Sequence, residues 1–413
     1  MGRNTRKKKY KKKYKKRKYR KKKVSTKKIK IKHRQSIRKP FYRVRRSDYM
    51  PQLYENQETV IPNTTPHQNK LLRREIQPSA APLLRDPHSF SPIVNKALMD
   101  LKSISPNPKV FTCLQQRKVN IIKHGQKKCV PWRTKIARQT MLNNLLSKTK
   151  IRCDDIVAPK QSLSNCWFNS FFMIFFISDK GRKFHRFLRE TMITSILPSG
   201  KQIKPALQWP FFLLNKYIEA SLRGQQDPSR FAKLMDTNNV IRRIYHSIHK
   251  GYSGIAKTRV PANPLSYYIA IMEYLGKGEA EFALSWINAH NSSYHDIRKQ
   301  IKYRIHQGSI PDILFVEYSD MATFKKKREI NIFRKYKYVL DSAVLRDTKQ
   351  QHFSAYITCN GRDYGFDGES FSRLAPFIWK TKINKDEQWR FAEQFNTYFN
   401  FMKGYQLLVY YRT

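Results

Sequence analysis

Gln161-Ser-Leu-Ser-Asn-Cys166-Trp-Phe-Asn-Ser-Phe-Phe-Met-Ile-Phe-Phe-Ile177 sets a polar loop against an unbroken apolar run, with Cys166 at the seam. The run predicts a buried helix and places Cys166 in its first turn. Backbone N–H groups lack intrahelical partners there and the helix dipole is positive, so a thiolate is favoured. Gln161, five residues upstream, offers an amide donor to an oxyanion. A cysteine before an apolar helix is also ordinary core packing. Its partners must decide between the two.

Downstream, Phe184–Ile196, Ala206–Leu222, Ser229–Ile248 and Pro264–Leu275 carry apolar residues at helical spacing. Asp227-Pro-Ser and Asn263-Pro read as helix starts. From residue 310 the pattern becomes that of strands: Ile310–Tyr318, Tyr338–Leu345, His352–Thr358 and Tyr405–Tyr411 are short and rich in β-branched and aromatic residues. Asn360-Gly361 is a tight-turn signal, with Tyr364-Gly-Phe366 as the returning strand. The fold class expected is therefore α+β, with the cysteine on a helical half and His352 opening a strand of an antiparallel sheet. Across that turn a hairpin can set Asp367 beside His352, although fifteen residues separate them. A cysteine hydrolase needs this set: a thiolate, an imidazole, a carboxylate that orients it, and oxyanion donors.

Upstream, residues 111–160 regain apolar character. The segment after Pro131 predicts a helix with Ile136, Met141 and Leu145 near one face, and the whole reads as a lead-in packing on the catalytic domain 161–413. Residues 47–110 are proline-rich and aperiodic, a linker with room for one short helix at Ile93–Ser103. Residues 1–46 hold 26 Lys/Arg and no carboxylate, out of a chain total of +54; residues 151–413 contribute +17. Such a tail cannot bury a core and is expected to be disordered alone. Its lysines suit phosphates, and Tyr10, Tyr14 and Tyr19 suit stacking on bases, so nucleic acid is the favoured partner, with a localisation address as the compatible alternative.

The five cysteines, Cys113, Cys129, Cys153, Cys166 and Cys359, are odd in number and widely spaced. They suggest neither a disulfide framework nor a zinc knuckle, and point to a reducing compartment. The N-terminus is a charge run with no apolar segment behind it, so no secretory signal is expected. The longest apolar runs are too short to span a bilayer, and no membrane partner is expected. His246 and His249 have no nearby Cys or Asp in sequence and read as ordinary histidines rather than metal ligands.

The conjunction resembles the ubiquitin-specific protease family, papain-like cysteine peptidases that cleave after the C-terminal glycine of ubiquitin. Gln161, Cys166, Trp167, Asn169 and Ser170 match that family's cysteine box. Tyr338, Leu340, Ala343, Val344, His352, Phe353, Ala355, Tyr356, Tyr364, Phe366 and Asp367 match its histidine box. Pro311–Val316 and Gly404–Arg412 are similar to its flanking strands. The resemblance spans 161–412 and implies Cys166 as nucleophile, His352 as acid–base, Asp367 as orienter and Gln161 as oxyanion donor. It implies no cofactor, and ubiquitin or a ubiquitin-like protein as partner. A lysine-rich tail fused to such a domain is also similar to proteins of large DNA viruses, which implies a nuclear or viral-factory location and packaging in the virion.

The departures are Gln161 where Asn is usual, Gln351 for the Gly before the histidine, Gly368 for a second Asp, and no cysteine pairs for a zinc finger. The family's tail channel is acidic because ubiquitin's tail bears arginine; Asp312, Glu317 and Asp320 are the residues here that could serve. A maturation protease cutting structural proteins at Gly-Gly-type sites is the alternative reading. Known peptidases of that kind commonly place His ahead of Cys, the reverse of the order here. A catalytically inactive nucleic-acid-binding protein is the third.

Overall fold

Val344 and its neighbours Ala343 and Leu345 face opposite ways, and that alternation organises the molecule. Val344 joins a core with Cys166, Phe168 and Phe172. Ala343 and Leu345 join a second core with Trp379, Trp389 and Phe401. In this computed structural model the described residues are 58–61 and 107–413, less 114, 148–150, 198–199, 224–227, 277–283, 290–291, 309, 319–324, 350–351, 370–372 and 392–395. The polybasic tail, most of the proline-rich stretch and the helix expected at Ile93–Ser103 lie outside them, as do Asp227, Asp320 and Gln351.

One sheet carries the fold. Its strands are β4 (Leu284–Asn288), β5 (Ile313–Tyr318), β6 (Glu329–Ile332), β7 (Tyr336–Arg346), β8 (Phe353–Cys359), β9 (Arg362–Phe366), β10 (Ala375–Pro376) and β12 (Gln406–Arg412). They lie in the order β10-β9-β8-β7-β12-β5-β4, with β6 also on β7. All pairs are antiparallel except β4 with β5. Apart from the main sheet, β1 (Glu58–Ile61) pairs in parallel with β11 (Gln388–Phe391), and β2 (Lys118–Lys123) forms a hairpin with β3 (Gln126–Pro131). The β8–β9 turn is made by Asn360 at φ 49° and Gly361 at φ 74°, the left-handed pair a two-residue hairpin requires.

Helices cover the face holding Val344. They are α1 (Lys135–Leu146), α2 (Cys166–Phe172), α3 (Asp179–Phe184), α4 (Arg186–Thr194), α5 (Pro205–Leu222), α6 (Pro228–Leu234), α7 (Thr237–Ile248) and α8 (Pro264–Gly276). The apolar run expected to be one helix after Cys166 widens into a π turn at Met173–Ile177, then restarts at α3 behind the Ser178 cap. Gly181 is required there, because a Cβ would sit 2.3 Å from the Ile174 carbonyl oxygen. The expected Ser229–Ile248 helix is two: Asp236 caps α7 by accepting from the Asn238 N–H, which restarts the chain. One helix escaped the periodicity reading, α9 (Tyr294–His306), which packs Ile297 and Ile301 into the second core. Among the described residues no helix is long and apolar enough to cross a membrane.

Residues 118–146 pack into the Cys166 core. Trp132 stacks at 5.3 Å against Trp209 and Phe212 of α5, and Lys216 donates to the Gln116 and Lys118 carbonyls. The cysteine expectation is overturned: Cys113–Cys129 and Cys153–Cys359 are disulfides, and Cys166 is the free cysteine. Their sequence separations of 16 and 206 carry no spacing signal, because the fold alone brings each pair to a Cα distance of 6.0 Å. The cysteine count therefore gives no argument for a reducing compartment.

Glu190 of α4 is buried with neither carboxylate oxygen hydrogen-bonded, and burial pushes its pKa to about 8, against a smaller opposing pull from Arg186. A raised carboxyl stabilises the fold fully below its unfolded value and loses that contribution as pH climbs through 8. Glu190→Gln is expected to match wild type near pH 4 and to exceed it by roughly 5 kcal/mol at pH 9, measured as the denaturant midpoint across that range.

Candidate active site

The loop before Cys166 is built against local preference. Leu163 and Ser164 both take φ 56°, a left-handed pair without glycine, which costs about 1–3 kcal/mol per residue. Side-chain amides hold it. Asn165 accepts from the Ser162 N–H at 2.9 Å and donates to Thr237 Oγ1 at 2.7 Å; that hydroxyl donates to Asn169 Oδ1 at 2.9 Å. Asn169 in turn donates to the Pro159 carbonyl at 3.2 Å, and Asn238 donates to both oxygens of Ser162. The start of α7 thus fixes the approach to the nucleophile, and Cys166 begins α2 with 7% of its surface exposed.

His352 precedes β8 and is 6% exposed. Its Nε2–H donates to Asp367 Oδ1 at 2.7 Å, and the Cys166 side chain is close enough to raise the imidazole pKa. Asp367 is 0% exposed, at the end of β9, and accepts in addition from the Glu369 N–H at 3.0 Å. The exposed Glu369 carboxylate stands 3.7 Å from His352 Nδ1. Burial pulls the imidazole pKa down, but the Asp367 charge and hydrogen bond, with Cys166, outweigh it and hold His352 well above the ordinary histidine value. The arrangement favours a protonated His352 beside Cys166.

Asp347 was not foreseen. Its carboxylate accepts from the His352 N–H at 2.6 Å and from the Lys349 N–H at 3.2 Å, while its own N–H donates to the His352 carbonyl at 2.8 Å. An aspartate that accepts from the N–H two residues on is an Asx turn, and Asp347-Thr-Lys at a strand end is a legible cue for it. Thr237 and Asn238 were also missed; they sit 71 and 72 residues after Cys166 in a helix read only for its apolar face. Arg346, last residue of β7, holds its guanidinium 5.6 Å over the Phe353 ring, and its charge reaches Cys166.

The structure brings Cys166, His352 and Asp367 together, and Gln161 joins them through its backbone: its N–H donates to the Gly368 carbonyl at 2.8 Å. The Gln161 side-chain Oε1 is buried without a partner. Gly368 belongs where an aspartate was expected because a Cβ there would lie 3.0 Å from Asn169 Nδ2 and 3.2 Å from the Pro159 carbonyl. Of the acids foreseen for a basic peptide tail, Asp320 lies outside the described residues, and Asp312 and Glu317 stand apart. Asp312 pairs with Arg412, and Glu317, about 16 Å along the strand, accepts from Trp286 Nε1 at 2.8 Å and Asn263 Nδ2 at 2.9 Å. His249 stacks on Tyr245 at 4.2 Å, and among the described residues no group of three or more His, Cys, Asp or Glu could hold a metal ion.

No protein-family model and no curated protein sequence matches the chain. Among solved structures it is similar to the SAGA Ubp8/Sgf11/Sus1/Sgf73 DUB module bound to ubiquitin aldehyde, at 10% identity and a TM-score of 0.43, covering 84% of this chain and 98% of that one. The same module bound to monoubiquitin gives 11% identity and a TM-score of 0.32 over 78% and 94%. A yeast SAGA DUBm structure with a mutant Sgf73 gives 10% and 0.32 over 64% and 70%.

Replacing Asp367 with Asn removes the charge that holds the imidazolium. His352 is protonated below its raised pKa and loses that proton as pH rises through it, which removes the proton donor for the leaving amine. In Asp367→Asn that alkaline limb moves down toward the ordinary histidine range, read as the pH profile of turnover, and turnover at its optimum falls by about 100-fold or more.

Proposed function

We propose that the chain is a cysteine peptidase of the ubiquitin-specific protease kind, hydrolysing the bond after the C-terminal glycine of ubiquitin or a ubiquitin-like protein. The observation that carries it is the set Cys166–His352–Asp367, with the imidazole hydrogen-bonded to Asp367 and Cys166 near enough to raise its pKa. The Cys166 thiolate attacks the scissile carbonyl carbon and the charge moves to oxygen. The Cys166 N–H and the Gln161 side-chain amide are the donors assigned to that oxyanion. His352 gives its proton to the leaving amine as the C–N bond breaks, which leaves a thioester. Water then adds with His352 taking its proton, and the C–S bond breaks to release the carboxylate and restore the thiol. Asp367 keeps the imidazole in one orientation through both halves.

A thiol only 7% exposed favours a substrate without side chains at the reacting residues, as a terminal Gly-Gly provides. The pairing of Asp312 and the prior engagement of Glu317 favour a tail less basic than ubiquitin's, which keeps in play a ubiquitin-like protein, or a structural protein cut in maturation at a Gly-Gly-type site. The tail 1–46 is assigned to nucleic acid, on its 26 Lys/Arg interleaved with tyrosine.

Ubiquitin carrying a C-terminal electrophile is expected to form a covalent adduct that is lost in Cys166→Ala. No adduct, with cleavage of a Gly-Gly-bearing structural protein instead, would move the assignment to the maturation reading. Deleting residues 1–46 is expected to weaken DNA binding and leave peptide hydrolysis unchanged; equal loss of both would refute the division of labour.

A further inference from the structure

The sheet face away from Cys166 carries a surface the peptidase reaction does not use. Helix α9 buries Ile297, Ile301 and part of Ile305 against β6. At 100° per residue the opposite arc is Lys302, His306, Lys299 and Tyr303, spanning about 10 Å along the axis. Beside it the β6–β7 hairpin turns through Phe333 and Arg334 at φ 54° and 55°, closed by the Lys335 N–H donating to the Ile332 carbonyl at 3.1 Å. A bulky aromatic in a left-handed turn position is costly, and nothing in the core recovers that cost, since Phe333 is 44% exposed. Tyr303 is 65% exposed.

Cations and rings alternate across this surface. Lys302 Nζ lies 5.5 Å from the Phe333 centroid, with the His306 ring edge-on to Phe333 at 5.2 Å. Lys327 and Arg298 flank the Tyr294 ring at 5.8 and 5.9 Å, and Lys335 lies 5.4 Å from Tyr336. Residues 294–306 and 325–337 hold eleven Lys/Arg against two carboxylates, Asp296 and Glu329. Both carboxylates are occupied: Asp296 caps α9 through Ser293, and Glu329 pairs with Lys337 at 2.8 Å.

A cavity of ≈ 730 Å³ adjoins β6, lined by Lys325–Arg328 with Lys380, Asn384 and Lys385. Its backbone is fixed before any ligand arrives. Asn384 accepts from the Lys326 N–H at 2.6 Å and donates to the Lys326 carbonyl at 2.9 Å, and Lys326 itself turns inward to the Ile383 and Phe401 carbonyls. Lys325 and Lys327, on either side of Lys326, are exposed in the clamped segment that leads into β6.

We infer that α9, the β6–β7 turn and the Lys325–Arg328 cleft form a binding site for single-stranded nucleic acid in the folded domain, distinct from the tail. Phosphates lie along Lys299, Lys302, Arg334, Lys335 and the cleft, and bases stack on Tyr303 and Phe333. Exposed rings set among cations suit unpaired bases, whose faces are open; a duplex offers its phosphates but hides its base faces. The site stands on the sheet face opposite α2, so a bound strand leaves the thiol free.

Irradiating the full chain with a single-stranded oligonucleotide containing 5-bromouracil, then mapping the adducts by mass spectrometry, tests this directly. Adducts at Tyr303 and Phe333 are expected; adducts confined to residues 1–46 overturn the proposal. The exposed-site variant K302Q/R334Q/K335Q is expected to bind the single strand about tenfold more weakly, with its salt slope reduced by about 2, three phosphates at roughly 0.7 each. Wild-type affinity and slope in that variant would also overturn it. A Y303A/F333A variant that keeps wild-type single-strand affinity would sink the stacking role of Tyr303 and Phe333. Cys166 alkylation in the variant should match wild type and report an intact fold.

Discussion

The two carboxylate oxygens of Asp179 accept the N–H groups of Asn360 and Gly361, at 3.0 and 2.9 Å, and this contact joins the halves of the molecule. Asp179 begins α3, directly after the apolar run that starts at Cys166. Asn360 and Gly361 are the tip of the hairpin that carries His352 at one end and Asp367 at the other. The two-residue turn requires left-handed φ at both positions, so its N–H groups point outward together and suit one carboxylate. Charge-assisted hydrogen bonds of this kind are roughly twice as strong as neutral ones. The Cys153–Cys359 disulfide closes the same corner, one residue from the turn. A nucleophile on a helix and an acid–base on a sheet need a shared reference point, and this corner supplies it.

From that corner the site is set by strand geometry. Ala355 stands opposite Phe366 in the β8–β9 register, so the residue three before Ala355 and the one after Phe366 emerge at the same end of the hairpin. Asp347 then closes the other side, gripping the His352 backbone from the end of β7. The imidazole is thus located by main-chain bonds and oriented by Asp367. The strained left-handed pair Leu163–Ser164 is held by Asn165, Thr237 and Asn238, side chains whose hydrogen bonds are local to the loop and α7. Asn238 uses only its amide N–H groups in this network, and its Oδ1 is buried without a partner.

The sequence made the strands β5, β7, β8 and β12 and the Asn360-Gly361 turn legible because period-two patterning and turn chemistry are local properties. Cys166, His352 and Asp367 could be lined up for the same reason, since a two-residue turn fixes hairpin register. What stayed hidden depends on contacts without local spelling. Thr237 and Asn238 reach Cys166's loop only after α7 docks. The disulfide partners are chosen by the finished fold, so the count of five misled. Helix α9 was missed because its apolar face is only Ile297, Ile301 and Ile305 among basic residues, a stripe too narrow to stand out. The acids Asp312 and Glu317 looked like a cluster because sequence proximity was read as spatial proximity; a strand pulls them apart.

The strict alternation along β7 places the proposed peptidase site and the proposed nucleic-acid surface on opposite faces of one sheet. Val344 faces the core of α2 and the nucleophile, while Ala343 and Leu345 face the core beneath α9 and β6. Arg346, at the end of β7, is a charged residue whose pKa Cys166 affects. The cations of α9 and the β6–β7 turn stand on the second face, with a packed sheet and two layers of side chains between them and the thiol. Beyond a Debye length of about 8 Å exposed charges are largely screened, so a strongly basic surface can be built there with little effect on the titration of His352. The same sheet that brings His352 beside Cys166 separates that site from the cations of α9 and the β6–β7 turn.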